Sequence, residues 1–318
     1  MVNTELDVLV VNYNTANLLQ PMFDALRQSK HAERLRYLIV DNASADNSLE
    51  RLASICPEAL QLSNDNNVGF GRANNQLIEH LQGRYALLLN TDAFVAADTL
   101  NKTLDYMEAH PDCGVLGVRL VGREGDLQPS CRYFPTPLNV FLAHAGLERF
   151  FPWVKKVDDM TWDHDSVREC DWVPGCYYLI RREVIDQVGL FDPRYFLYYE
   201  EVDHCKRVKQ AGWKVVYYPD TTVVHIGGES AKTVNTLNAA SRQLSTLQIE
   251  SELLYFRKHH GLAGLALHMG LVSLGDLILA LKAILKGRGW AAIGTCWQHT
   301  RVTWALLRKT RLASQPTR

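Results

Sequence analysis

Three short apolar runs constrain what this chain can fold into more than anything else in it. They occupy residues 6–11, 35–40 and 85–89, and apolar residues crowd them without the strict alternation of a half-buried strand. A strand of that kind is buried on both faces, the environment of a parallel sheet covered by helices. Amphipathic stretches at about 15–30, 46–55 and 70–82 separate the runs. Strand–helix alternation of this kind predicts an α/β fold with a mainly parallel central sheet and helices on both faces. Each run breaks off into small polar or acidic residues: Asn12, Tyr13, Asn14 and Thr15; then Asp41, Asn42, Ala43 and Ser44; then Asn90, Thr91 and Asp92. Residues of this type make turns and helix caps. Three such ends on one sheet edge also match the place where ligands bind in these folds, beyond the carboxyl ends of the strands.

The second half is less regular. A short strand is expected within 172–180, helices at 182–189 and 201–211, and two further strands at 213–218 and 222–226. Residues 123–170 are rich in Pro, Asp and aromatic side chains without periodicity, and are expected to form a loop over the site. Seven cysteines are scattered with no C-x-x-C pair, which points to reduced thiols rather than a zinc or disulfide framework. The start of the chain has no basic, apolar leader pattern, so a protein that is not secreted is expected.

Charge is divided unevenly. Residues 255–318 hold ten Lys/Arg and one acid, Asp276, a net +9, while the rest of the chain holds 24 basic and 34 acidic residues, a net −10. A basic tail on an acidic body suggests an anionic surface as partner. The longest uncharged stretch there, 261–275, is shorter than the roughly 20 residues of a bilayer span. Trp290, Trp297 and Trp304 recur every seven residues, on one helical side near Arg301, Arg308 and Lys309. That pattern fits an amphipathic helix lying in a membrane surface; a packed helix pair or a dimer seam is the other reading.

Three clusters carry candidate chemistry. Asp92 ends the third run, where a carboxylate is costly unless paired or metal-bound. Mg²⁺ or Mn²⁺ would suit it and could hold a diphosphate, although capping the next helix explains it equally well. Glu200, Glu201 and Asp203 follow the apolar and aromatic residues Phe196, Leu197, Tyr198 and Tyr199. Exposed, they would be a solvated helix start; against an apolar wall, one of them would be a general base with its pKa raised towards neutrality. His225 lies in an apolar strand before Gly227 and Gly228, either as a satisfied core histidine or as a neutral ligand for the same metal. The sequence has no G-x-G-x-x-G, P-loop lysine or G-x-S-x-G.

Taken in order, the segments VVNYNT, VDNASADNS, NDNNVGFGRANN, LLLNTDA, WVPGCYYLIRREV, GLFDPRYFLYYEEVDHCKR, AGWKVVYYP and VVHIGGES resemble glycosyltransferase family 2 over about residues 5–260. The likeness is greatest to rhamnosyltransferase-like members that act in cell-surface polysaccharide assembly. It implies a GT-A fold, with a nucleotide-sugar half at about 1–122, an acceptor half at about 123–260, and a basic, amphipathic, helical C-terminal region at 261–318. It implies an inverting transfer from a nucleotide-diphospho-sugar (a UDP- or dTDP-sugar, with rhamnose as the candidate sugar) to a hydroxyl of a glycan or lipid-linked acceptor. By the same resemblance Asn12, Tyr13, Asn14, Asp41 and Asn42 surround base and ribose, while Asn67 and Arg72 reach the nucleotide. The family's D-x-D element falls on Asn90, Thr91 and Asp92, which leaves Asp92 as metal ligand, with His225 as a further one, for Mn²⁺ or Mg²⁺. Trp172 and Gly175 match the acceptor side. The family's base is the second residue of a Glu-Asp pair; here the pair is Glu200-Glu201, which makes Glu201 the first choice and Asp203 the second.

The start of the chain, the basic tail and the tryptophan spacing together predict a cytoplasmic protein held peripherally at the inner face of the cytoplasmic membrane, with no nucleic-acid partner. A processive synthase on the same fold would carry a Q-x-x-R-W element and several spanning helices, and neither is read here. The departures at Asn90 and Glu201 leave a non-catalytic nucleotide-sugar-binding module on a degenerate GT-A fold as the alternative.

Overall fold

A computed structural model describes residues 5–30, 32–227, 237–287 and 289–318. The first 110 residues build β1 (Leu6–Asn12), α1 (Ala16–Arg27), β2 (Leu35–Asp41), α2 (Ser48–Ile55), β3 (Leu60–Ser63), α3 (Phe70–Asn75), β4 (Tyr85–Leu89), β5 (Ala93–Val95) and α4 (Thr99–Ala109). There follow β6 (Cys113–Val121), β7 (Leu127–Gln128), α5 (Pro137–Ala145), β8 (Arg168–Glu169), β9 (Tyr177–Arg181), α6 (Arg182–Val188), α7 (Glu200–Gln210) and β10 (Lys214–His225). Two long helices close the chain, α8 (Leu237–Leu285) and α9 (Gly289–Lys309).

The strands form one sheet in the order β3-β2-β1-β4-β9-β6-β10-β5, with β7 beside β6 and β8 beside β10. Strands β3, β2, β1 and β4 run parallel, as do β6 and β10, while β9 runs antiparallel between β4 and β6. Alternate residues of each central strand feed two cores. Val8, Val10, Ile39, Leu87 and Leu179 pack on the side of α1, α2 and α4. Leu9, Leu38, Val40, Leu88 and Ile180 pack on the side of α3, α6, α7 and α8. The three runs are mainly apolar because both of their faces are covered, and the exceptions in the first two, Asp7 and Arg36, pair with each other at 3.4 Å.

Two expectations change. The strands expected at 213–218 and 222–226 are one strand, β10, whose pairing with β6 shifts register between Tyr218 and Thr222. Pro219 and Asp220 lie in that shift, so they mark an irregularity inside a strand rather than its end. The stretch 123–170 holds a helix, α5. Its start is capped reciprocally: Thr136 Oγ1 accepts from the Asn139 N–H, and Asn139 Oδ1 accepts from the Thr136 N–H. Thr-Pro at its start and Gly146 (φ 62°) at its end are the signals that mark it.

The C-terminal helices form a hairpin against the body. Gly261, with φ 67°, breaks α8 near its middle. Leu265, Met269, Leu306 and Leu307 enter the same core as Tyr178 and Trp172. At ~1.5–3 kcal/mol per buried side chain, those four hold the hairpin down by roughly 6–12 kcal/mol as an upper bound. Residues Thr246–Leu285 are long and apolar enough, by length and composition, to cross a membrane. Crossing would strip that packing and drag the buried Asp276 through hydrocarbon, so an orientation along a surface fits the packing better. The outward face carries Leu267, Leu274, Leu277, Leu281 and Ile284, with Leu285 86% and Trp290 87% exposed.

Candidate active site

The ends of β1, β2 and β4 meet at one edge of the sheet and are laced together there. Asn12 is buried; its Nδ2 donates to Asp41 Oδ2 at 2.7 Å and to Ser44 Oγ at 3.0 Å. Asp41 Oδ1 accepts from the Ser44 N–H at 2.9 Å. The Thr15 hydroxyl bridges to β4, 2.7 Å from Asn12 Oδ1 and 2.8 Å from Thr91 Oγ1. Asn14 (φ 56°) and Ala43 (φ 65°) take the left-handed conformation where the chain turns out of each strand. Asn42 donates to Asn67 Oδ1 at 2.9 Å and accepts from Asn64 and from the Val68 N–H. Tyr13 is half-buried beside this network. The structure thus brings Asn12, Tyr13, Asn14, Asp41, Asn42 and Asn67 to one place.

Arg72 lies one helical turn further on and points elsewhere. Its Nε donates to the Pro193 carbonyl at 2.7 Å and its Nη2 to the Arg318 carbonyl at 3.0 Å. Gly69 explains how this segment docks: with φ 90°, a Cβ there would meet the Phe196 carbonyl oxygen at 2.3 Å. Only glycine lets the loop lie flat on the strand-like segment that leads into α7.

Asp92 and His225 face each other across neighbouring elements. The Ile226 N–H donates to the Asp92 carbonyl at 3.0 Å, which places β10's end against the turn after β4. His225 Nε2 lies 3.6 Å from Asp92 Oδ1, too far for a hydrogen bond. Gln128, from β7, fixes the ring. Its Nε2 donates to the His225 carbonyl at 2.8 Å, so its Oε1 must be the atom that meets His225 Nδ1 at 3.0 Å. The amide oxygen accepts the Nδ1 proton and turns the Nε2 lone pair towards Asp92. Burial disfavours the imidazolium and moves the His225 pKa down, although Asp92 opposes this. A lone pair facing a carboxylate oxygen at this distance fits a shared divalent cation, with Gln128 as the outer partner that orients the ligand. Gly228, Glu229 and Ser230 of the same motif lie outside the described residues.

The third cluster opens α7. Tyr198 (φ 70°) and Tyr199 (φ 68°) are both left-handed, a costly conformation for aromatic residues. This bend turns Glu200 and Glu201 inward, where one oxygen of each, Oε2, is buried with no hydrogen-bond partner. Burial raises the pKa of both; Glu201 raises Glu200 further, while backbone N–H groups and the Arg132 guanidinium pull Glu201 back down. Burial thus opposes ionisation of both carboxyls, more strongly at Glu200 than at Glu201. The Cys176 thiol is pushed up mainly by burial, with smaller contributions from the Asp92 and Glu201 charges.

Asp203 stands apart. It accepts from His259 at 2.7 Å, from Lys258 at 2.5 Å and from Arg207 at 2.9 Å. Burial alone would raise its pKa, yet these partners bring it to about 2. Its charge ties α7 to α8.

On the acceptor side, Trp172 Nε1 donates to the Tyr133 carbonyl at 2.9 Å, and the Arg132 guanidinium lies over its ring at 4.0 Å. Gly175 sits against the Phe70 ring at ordinary contact distance. Gln128 and Arg132, which touch the candidate residues His225 and Trp172, are neighbours that sequence reasoning misses. Both lie in the aperiodic stretch, and no local pattern sets them apart there.

The family model described as glycosyl transferase family 2 matches residues 7–189. The chain belongs to that family. The N-acetylglucosaminyl-diphospho-decaprenol L-rhamnosyltransferase of Mycobacterium tuberculosis is 29% identical over 256 residues, covering 76% of this chain and 82% of that one. The rhamnosyltransferase WbbL of Escherichia coli is 24% identical over 229 residues, covering 69% and 82%. Among solved structures, the mannosyltransferase PcManGT of Pyrobaculum calidifontis, in complex with GDP-Man and Mn²⁺, superposes with a TM-score of 0.57 at 16% identity, covering 98% of this chain and 88% of that one. The fold of this family 2 member is GT-A, and the protein is a glycosyltransferase, which decides between the enzyme and the binding module.

Proposed function

We propose that the protein is an inverting, metal-dependent glycosyltransferase that moves a sugar, rhamnose as first candidate, from a UDP- or dTDP-sugar to a hydroxyl of a lipid-linked or cell-surface glycan. The observation that carries this reading is a pair of unsatisfied features: the Nε2 lone pair of His225 facing Asp92 at 3.6 Å, and the Glu201 carboxylate at the start of α7, one oxygen of which is buried without a partner. The rhamnosyltransferase relatives, one named for an N-acetylglucosaminyl-diphospho-lipid, support the substrate class. Neighbours on the same fold that bind GDP-Man and UDP support a nucleotide-sugar donor, and those with Mn²⁺ support a divalent ion.

The residues divide the chemistry. Asp41, Asn12 and Asn42 hold the nucleoside in a network that is already formed, so little ordering remains to be done on binding. Asp92 and His225 would hold the divalent cation, which supplies charge stabilisation to the leaving diphosphate. Glu201 accepts the proton of the acceptor hydroxyl; its raised pKa makes it a stronger base than an exposed glutamate. Arg132 moderates the rise at Glu201, while burial and Glu201 raise Glu200 further. Arg72 reaches the donor only by leaving the Pro193 and Arg318 carbonyls. Trp172 and Gly175 line the acceptor approach. The apolar outer face and tryptophans of the hairpin, with the basic charge of 255–318, support a peripheral position on the inner face of the cytoplasmic membrane.

Transfer from dTDP-rhamnose and UDP-sugars to a lipid-linked N-acetylglucosamine acceptor tests this. EDTA should abolish it, Mn²⁺ or Mg²⁺ should restore it, and Asp92→Ala should not be rescued. Full activity in EDTA would overturn the metal assignment.

A further inference from the structure

Asp276 is the single acid among residues 255–318, and it is buried in the seam between the C-terminal hairpin and α5. Three side chains close on it. His144 Nε2, from α5, lies 2.8 Å from Oδ1. His299 Nδ1, from α9, lies 3.0 Å from Oδ2, and the Thr300 hydroxyl donates to Oδ2 at 2.5 Å. The ligand atoms of both imidazoles and the carboxylate all fall within 4.8 Å of one another. None of them belongs to the strand edge where Asp92 and Glu201 stand, and the transfer reaction uses none of them.

Two imidazole nitrogens and one carboxylate oxygen are the donor set of a borderline-soft divalent cation, Zn²⁺ above all, with water in the fourth position. Tetrahedral ligands at ~2.0–2.2 Å stand roughly 3.3 Å apart. Measured to the one oxygen Oδ1, the 2.8 and 3.1 Å separations open by about half an ångström or less to reach that spacing, and the two imidazole nitrogens, within 4.8 Å of each other, draw together by side-chain rotation. His144 is 27% and His299 32% exposed, which leaves an approach for the ion and its water. Gly275 is a separate sign that the chain makes room here: a Cβ at that position would stand 2.7 Å from His144 Cδ2. The residue before Asp276 must lack a side chain for the His144 ring to reach the carboxylate.

We propose that His144, Asp276 and His299 form a structural zinc site, distinct from the catalytic cation, that fastens the C-terminal hairpin to the acceptor half. It joins three helices far apart in sequence at the point where Lys282 already binds the Ala145 carbonyl at the end of α5. The site holds the tryptophan-bearing face at a set angle to the acceptor approach.

The test uses full-length protein, stripped with chelator, loaded with Zn²⁺ and freed of excess. Zinc per chain is then measured by elemental analysis, with Co²⁺ loading followed by visible absorption. The wild type and an Asp92→Ala/His225→Ala variant should each retain one equivalent at this site and give the intense ligand-field bands of tetrahedral Co²⁺. His144→Ala/His299→Ala should lose that equivalent, and Gly275→Ala should weaken it roughly tenfold or more, as changes beside a metal ligand commonly do. Should the double histidine variant fail to fold, the Asp92→Ala/His225→Ala protein and its Co²⁺ spectrum still decide. Zinc that disappears with Asp92 and His225, or a folded wild type that retains none, overturns the proposal.

Discussion

Glu201 and Asp203 stand two residues apart on one helix, and the structure separates their roles sharply enough to test by paired substitution. Glu201→Gln keeps the side chain's size and removes a buried carboxylate that lacks a partner at one oxygen. Its raised pKa means that burial opposes its ionisation, so the amide should leave stability unchanged or slightly higher. Its kcat should fall by ~10²–10⁴, the usual contribution of a general base. Asp203→Asn should do the reverse. Lowering an aspartate from roughly 3.9 to about 2 corresponds to roughly 2–3 kcal/mol at neutral pH. Leaving Lys258, Arg207 and His259 facing a neutral amide brings the cost nearer 3 kcal/mol, at the low end for breaking a buried pair. The sign follows from the depressed pKa: this stabilisation is present above the unfolded value near ~3.9 and is lost as pH falls through about 2. The assay pairs urea unfolding with steady-state transfer at a temperature where both variants stay folded. Asp203→Asn should keep kcat within roughly tenfold of wild type. A stable but inactive Asp203→Asn beside an active Glu201→Gln would refute the reasoning and move the base to Asp203.

Two further outcomes follow from the geometry. Gln128→Leu removes the acceptor that orients His225, and Mn²⁺ titrations should show metal affinity weakened by ~10–100-fold with the fold intact; unchanged affinity would mean that the ring needs no partner. Replacing Trp290 and Trp297, 87% and 66% exposed, with serine should reduce co-sedimentation with anionic vesicles while leaving unfolding midpoints in place; unchanged sedimentation would assign that face to protein packing instead.

The sequence by itself determined the layered sheet, because strands buried on both faces carry few polar residues and the runs at β1, β2 and β4 show that directly. It also singled out Asn12, Asp41, Asp92, Glu201 and His225 as candidates, because each follows or interrupts an apolar strand or wall where a polar side chain needs a reason. Periodicity was silent where the chain is held by long-range pairing. The join of two apparent strands into β10 depends on β6 beside it, and α5 is short enough that its caps, not its pattern, announce it. Only the tertiary structure decided which acid in α7 is free. Glu201 and Asp203 are equivalent as residue types, and the difference lies in Lys258 and His259 arriving from a helix more than fifty residues away. The same holds for Gln128 beside His225 and for His144 beside Asp276. A side chain's charge and pKa are set by its neighbours in space, and no local spacing encodes partners that folding alone brings together.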